Sequence, residues 1–218
     1  MTLPTSGLIT INDRGARAAT TFGSVEAGGG NMVFIKKLTA SSSGTLSFVD
    51  GASSVVLDST YKEYVFIFKD IHPSNASTRF QFNGSSDTGS NYNVTKTTSI
   101  FIAGHQESDS DATLTYQSGD DLAQSTAFQD LAAYGDSESE NDSSLAGTLH
   151  LFNPSSTTFV KHFIARTNYM AAGGDNADYS VDSHTAGYFN TTSVIDAIQF
   201  KFTSNNIDAG TISLYGIL

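Results

Sequence analysis

An antiparallel β-sandwich of jelly-roll type, all-β and preceded by an extended N-terminal arm, is the fold class the sequence predicts. Three observations predict it. From Met32 onward, β-branched and aromatic residues recur with a period of two, in short runs bounded by Gly, Asn, Asp and Ser. Charged residues are only 15% of the 218, and Ser, Thr, Asn and Gly take their place, a mix suited to strands joined by polar turns. No segment has helical spacing of comparable strength, which excludes a helix bundle.

Residues 1–30 differ from the rest. One alternating run, Leu8-Ile9-Thr10-Ile11, sits among small and polar residues, and the segment ends at Gly28-Gly29-Gly30. This reads as an arm and hinge, with Leu3, Leu8, Ile9 and Ile11 as the side chains that dock it onto another chain. Residues 31–218 form the body, a single domain. Within it, residues 44–49 and 53–57 flank Asp50-Gly51 and predict a hairpin. Residues 61–68 end in the continuous apolar run Val65-Phe66-Ile67-Phe68, as a strand covered on both faces would. Further strands are predicted at 78–82, 97–102, 147–152, 158–165, 184–189, 197–202 and 210–217, about ten in all. Region 104–146 breaks the pattern. Residues 121–134 predict a short helix with Leu122, Phe128 and Leu131 inward, and the remainder reads as a long exposed loop.

Eleven Lys plus Arg against 22 Asp plus Glu leave a net charge of -11, the wrong sign for gripping a phosphate backbone, so no nucleic-acid partner is expected. The acids are segregated: no Lys or Arg lies between Lys96 and Lys161, where Glu107, Asp109, Asp111, Asp120, Asp121, Asp130, Asp136, Glu138, Glu140 and Asp142 all fall. A strongly acidic, solvated surface follows. Asp109-Ser110-Asp111 supplies hard oxygen ligands without the rest of a calcium loop, so no metal is assigned. The start lacks the basic and apolar stretches of a secretory signal, and no run approaches the roughly 20 apolar residues of a membrane span. The expectation is a chain made in the cytoplasm and used without export or membrane insertion.

Catalytic patterns are sparse. There is no cysteine, no G-x-S-x-G turn and no paired spacing among His72, His105, His150, His162 and His184. No cofactor and no enzymatic activity are expected. His150 and His162, flanked by apolar strand residues, read as packed or interface histidines. Trp is absent, and Tyr116 and Tyr134, in or near loops, are the candidate contacts for a glycan or receptor. Phe66, Phe68 and Phe159 stand in runs more hydrophobic than one covered face requires and are the candidate oligomer interface.

The opening Leu3-Pro4-Thr5-Ser6-Gly7-Leu8-Ile9-Thr10-Ile11-Asn12-Asp13 resembles the N-terminal segment of tail and appendage proteins of tailed bacteriophages, departing from it at Arg14, where the pattern is apolar. Residues 64–73, Leu149-His150-Leu151-Phe152-Asn153-Pro154 and the ending Gly210-Thr211-Ile212-Ser213-Leu214-Tyr215-Gly216-Ile217 resemble a family of virion structural proteins of marine tailed phages and cyanophages. Together these matches cover most of residues 32–218. The resemblance implies a non-enzymatic virion component, assembled in the host cytoplasm, with other virion structural proteins as partners. It implies a tail- or fibre-associated surface protein anchored through its arm, with capsid decoration or a glycan-binding receptor module as the other roles. A homotrimer is expected, because such components sit on symmetric positions and the body offers more strand edges than a monomer comfortably exposes.

Overall fold

The computed structural model describes residues 31–141, 143–171 and 178–218. Twelve strands fall among them: β1 (Met32–Thr39), β2 (Leu46–Val49), β3 (Glu63–Pro73), β4 (Phe80–Ser85), β5 (Lys96–Gln106), β6 (Ala112–Tyr116), β7 (Gln129–Asp130), β8 (Leu145–Phe152), β9 (Lys161–Ala171), β10 (Tyr179–Phe189), β11 (Ala197–Phe202) and β12 (Ile207–Ile217). They form an eight-stranded sheet, order β1-β12-β3-β8-β9-β10-β5-β6, and a four-stranded sheet, order β2-β11-β4-β7. Every pairing is antiparallel.

The order is that of a jelly roll. With β5, β6, β9 and β10 set aside, each successive strand crosses to the opposite sheet except at the midpoint, where β4 and β7 stay in the smaller sheet. The first pairs with the last, the second with the last but one, the third with the third from the end, and the central two with each other. The remaining four strands are inserted between β4 and β7 and between β8 and β11, and they extend the larger sheet beyond β8.

Between the sheets the core is aromatic. Phe200 sits at its centre, with ring centroids 5.1 Å from Phe68, 5.3 Å from Phe66, 5.9 Å from Phe80 and 6.3 Å from Phe48. All five are at most 2% exposed. Most of these contacts are edge-to-face, the arrangement that aromatic quadrupoles favour.

Two sequence expectations are corrected here. Asp50-Gly51 does not join a hairpin: β2 pairs with β11, and the chain after Val49 must cross to the other sheet to begin β3. Residues 50–62 are that crossover, pinned by Leu57 N–H donating to Asp50 Oδ1 (2.8 Å) and anchored by the buried Val55 and Leu57. Residues 121–134 are not a helix, nor is 104–146 a plain exposed loop. That region contains β6 and β7, and between 121 and 134 its backbone bonds to distant strands instead of forming helical turns. Lys96 N–H donates to Ser125 O, Thr98 N–H to Leu122 O and Leu131 N–H to Phe80 O, at 2.8 to 2.9 Å. Leu131 is buried, whereas Leu122 and Phe128 are half-buried.

This stretch covers the inner face of the inserted strands, where the smaller sheet does not supply a partner layer. Tyr169 O–H donates to Tyr134 O (2.9 Å) and accepts from Tyr134 N–H (2.7 Å), while Thr167 Oγ1 donates to Leu131 O. Burial drives the Tyr169 phenol well above its usual range. Lys96, fully buried, donates to Asn83 Oδ1 (2.8 Å) and Ala127 O (2.5 Å), with no carboxylate beside it among the described residues. Desolvation pushes its ammonium down to about 7.

Candidate functional site

The surface that distinguishes this body is the outer face of the eight-stranded sheet. Side chains alternate along each strand, so one half of every strand's residues faces away from the core. The ladder registers align these into rows. One runs Tyr116, Phe101, His184, Arg166, Thr148; the next runs Ser99, Ala186, Ile164, His150, Val65, Tyr215, Phe34. Large apolar side chains are exposed here: Met32 44%, Phe34 57%, Phe101 45%, Leu114 77%, Tyr116 52% and Ile164 54%. Their placement is uneven, because all but Ile164 stand on or beside the two edge strands, β1 and β6.

Four of the five histidines share this face. His184 stacks on Phe101 (centroids 4.8 Å, 4° between planes) and lies 3.3 Å from Asp182. Arg166 grips the same Asp182 through Nε (2.9 Å) and Nη2 (2.7 Å), which holds that carboxyl below its usual range. His150 Nδ1 lies 2.6 Å from Glu63, His162 faces Tyr188 at 5.8 Å, and His105 lies 3.1 Å from Asp109. Between β5, β9 and β10 the face dips into a depression of about 480 Å³ lined by Thr97, Ser99, His162, Ile164, Ala186 and Tyr188. Among the described residues no group of three or more His, Asp or Glu is placed to hold a metal ion.

The acidic region is partly turned inward. Arg79 meets Asp120 (2.6 Å), Asp130 (3.4 Å) and Asp136 (3.2 Å), and burial pushes the Asp130 carboxyl up. Asp109 and Asp111 remain exposed, and Asp121 accepts from Tyr116 O–H at 2.6 Å.

Of the residues singled out from sequence, Phe66 and Phe68 are enclosed by the smaller sheet within one chain, which removes them from any oligomer contact surface. Phe159, 68% exposed on the β8–β9 connection, is available. Tyr116 is on the outer face, but Tyr134 packs beneath the sheet against Tyr179 (5.6 Å), so the two do not share a contact surface. His150 is half-buried, whereas His162 is exposed. Leu3, Leu8, Ile9 and Ile11 lie outside the described residues. Sequence reasoning passed over Met32, Phe34, Phe101 and Leu114. Comparison of the chain with protein-family models, with curated proteins and with solved structures finds no match in any of the three.

Proposed function

We propose that this chain is a non-enzymatic structural component of a tailed-phage virion, a tail- or fibre-associated surface protein that self-associates as a homotrimer and is anchored through residues 1–30. The observation that carries the reading is the row of exposed apolar side chains on one face of a jelly roll, concentrated at its two strand edges. Such a surface favours protein contact over solvent. The resemblance of Leu3 to Asp13 to phage appendage segments supports a particle as the setting. Deleting residues 1–30 tests the anchor: the expected product is a folded, soluble body that fails to enter particles. Normal incorporation contradicts the anchor, and an unfolded product contradicts the arm's being separate from the core.

A second role on the same surface is glycan recognition, favoured by the aligned rings of Tyr116, Phe101 and His184 beside the polar pair Arg166 and Asp182. Saturable binding of the full chain on an array of host polysaccharides supports it. A flat response removes it.

A further inference from the structure

The two edges of the larger sheet are built differently and complement each other. At the two ends of β6, Gln106 N–H donates to Asp111 O (2.9 Å) and Gln117 N–H to Ile100 O (3.0 Å), which sets the alternation of the ladder. Thr113 and Thr115 turn their backbone groups toward β5; Ala112, Leu114 and Tyr116 turn theirs outward, where no described strand pairs with them. On β1, Leu218 N–H donates to Asn31 O (2.8 Å) and Ala40 N–H to Gly210 O (2.9 Å). Met32 and Phe34 therefore present free backbone groups before the bulge at Phe34/Lys36, and Lys37 and Thr39 after it. On both edges these residues are the ones whose side chains are exposed.

Charge separates the possible pairings. β6 carries no charge but is flanked by Glu107, Asp109 and Asp111 at one end and Asp120 and Asp121 at the other. Two β6 edges paired antiparallel about Leu114 would set these acidic ends against each other, and two β1 edges would bring Lys37 of each copy near the other's lysines. Only the mixed pairing places opposite charges together. It is also geometrically consistent: neighbours in the sheet are antiparallel and the strands number eight, so β1 and β6 run in opposite directions, and side-by-side copies meet antiparallel.

We propose that β6 of one copy pairs with β1 of a second copy, adding head to tail to make a continuous sheet across subunits. Phe34 of the second copy faces Leu114 of the first, and Met32 of the second copy faces Tyr116 of the first. Lys37 then lies at the end carrying Asp109 and Asp111. A head-to-tail contact of this kind closes into a ring when its rotation permits, which is the form the trimer would take. The inference rests on the self-association read above and is independent of where on a particle the protein sits.

The full chain has no cysteine, so single-cysteine variants report the contact. Co-expressed Phe34→Cys and Leu114→Cys chains are expected to oxidise to a disulfide-linked dimer holding one of each, because hydrogen-bonded antiparallel pairs stand about 5.5 Å apart at Cα, within disulfide reach. Each variant alone stays unlinked. Self-linking by Leu114→Cys, or no link in the mixture, overturns the proposal. Lys37→Glu should reduce the assembled fraction in sedimentation velocity several-fold, and adding Asp109→Lys with Asp111→Lys should restore it; assembly unaffected by Lys37→Glu counts against the pairing. A chain that enters particles without forming the mixed link defeats this inference alone, whereas one that forms the link yet is missing from particles defeats the virion reading alone.

Discussion

Among the described residues, Lys96 departs far from its ordinary chemistry. Its ammonium is held at about 7 against an ordinary 10.5 because burial withdraws it from water and only carbonyl oxygens replace that water. The unfolded chain therefore binds more protons than the folded one between those two values, and stability rises with pH across that window, by at most about 1.4 kcal/mol per pH unit from this group. Lys161, also lowered by burial, acts in the same direction. Urea denaturation between pH 7.5 and 9.5, below the tyrosine range, should show a clearly shallower slope for Lys96→Met than for the natural chain; equal slopes contradict the assignment. Phe200→Ala tests the core at the same scale. With five phenyl rings around it, the truncation should cost about 3 to 5 kcal/mol, the range for a buried aromatic that leaves a cavity. A loss below about 1 kcal/mol in denaturant titration would mean that the core collapses around the gap.

At the scale of elements, the stretch from 117 to 137 does the work of a missing sheet, and Tyr169 is its tether. Tyr169→Phe removes both hydrogen bonds to Tyr134 and should cost about 1 to 3 kcal/mol, with faster hydrogen exchange confined to residues 126–137. Uniform acceleration across all strands would show that the cover is not a separate unit. Nine of the twelve strands were legible in the sequence, because period-two alternation depends only on a strand having an inside and an outside; β1, β6 and β7 were not singled out, and the expected strand at 53–57 is part of the crossover. What alternation does not contain is the partner. Asp50-Gly51 has the chemistry of a hairpin turn, yet β2 finds β11 about 150 residues away. The helix expected at 121–134 fails for the same reason, since its backbone donors and acceptors are taken by β5 and β4. Phe66 and Phe68 were read as more apolar than one covered face requires and taken as a candidate oligomer interface, but both lie on the inner face, covered by the chain's own second sheet. Of the outer-face residues, Tyr116 was visible as a loop-proximal aromatic. Met32, Phe34 and Leu114 were not, because being on an edge is a property of topology. The one local signal was an uncharged five-residue run, Ala112–Tyr116, set between acids.

For the whole molecule, the inserted strands β5, β6, β9 and β10 change what a jelly roll can do. They carry one sheet well beyond the other, leave an outer face with rings and histidines in register, and end in an edge that nothing described covers. If copies pair through opposite edges as proposed, assembly becomes sensitive to salt, since a Lys37 contact with the acidic end of β6 would be exposed and screened over about 8 Å at physiological ionic strength. Sedimentation of the purified chain should therefore show the assembled fraction falling as salt is raised; a fraction that grows with salt would indicate contact through the apolar side chains alone.

The most direct measurement is cryo-electron microscopy of purified particles from a lysate in which this chain is expressed. The account predicts density for the twelve-stranded body on the particle surface in three-fold copies, joined edge to edge through β1 and β6, on the tail or its fibres. Density on the capsid lattice would move it to the decoration role, and particles without the chain would contradict the virion assignment.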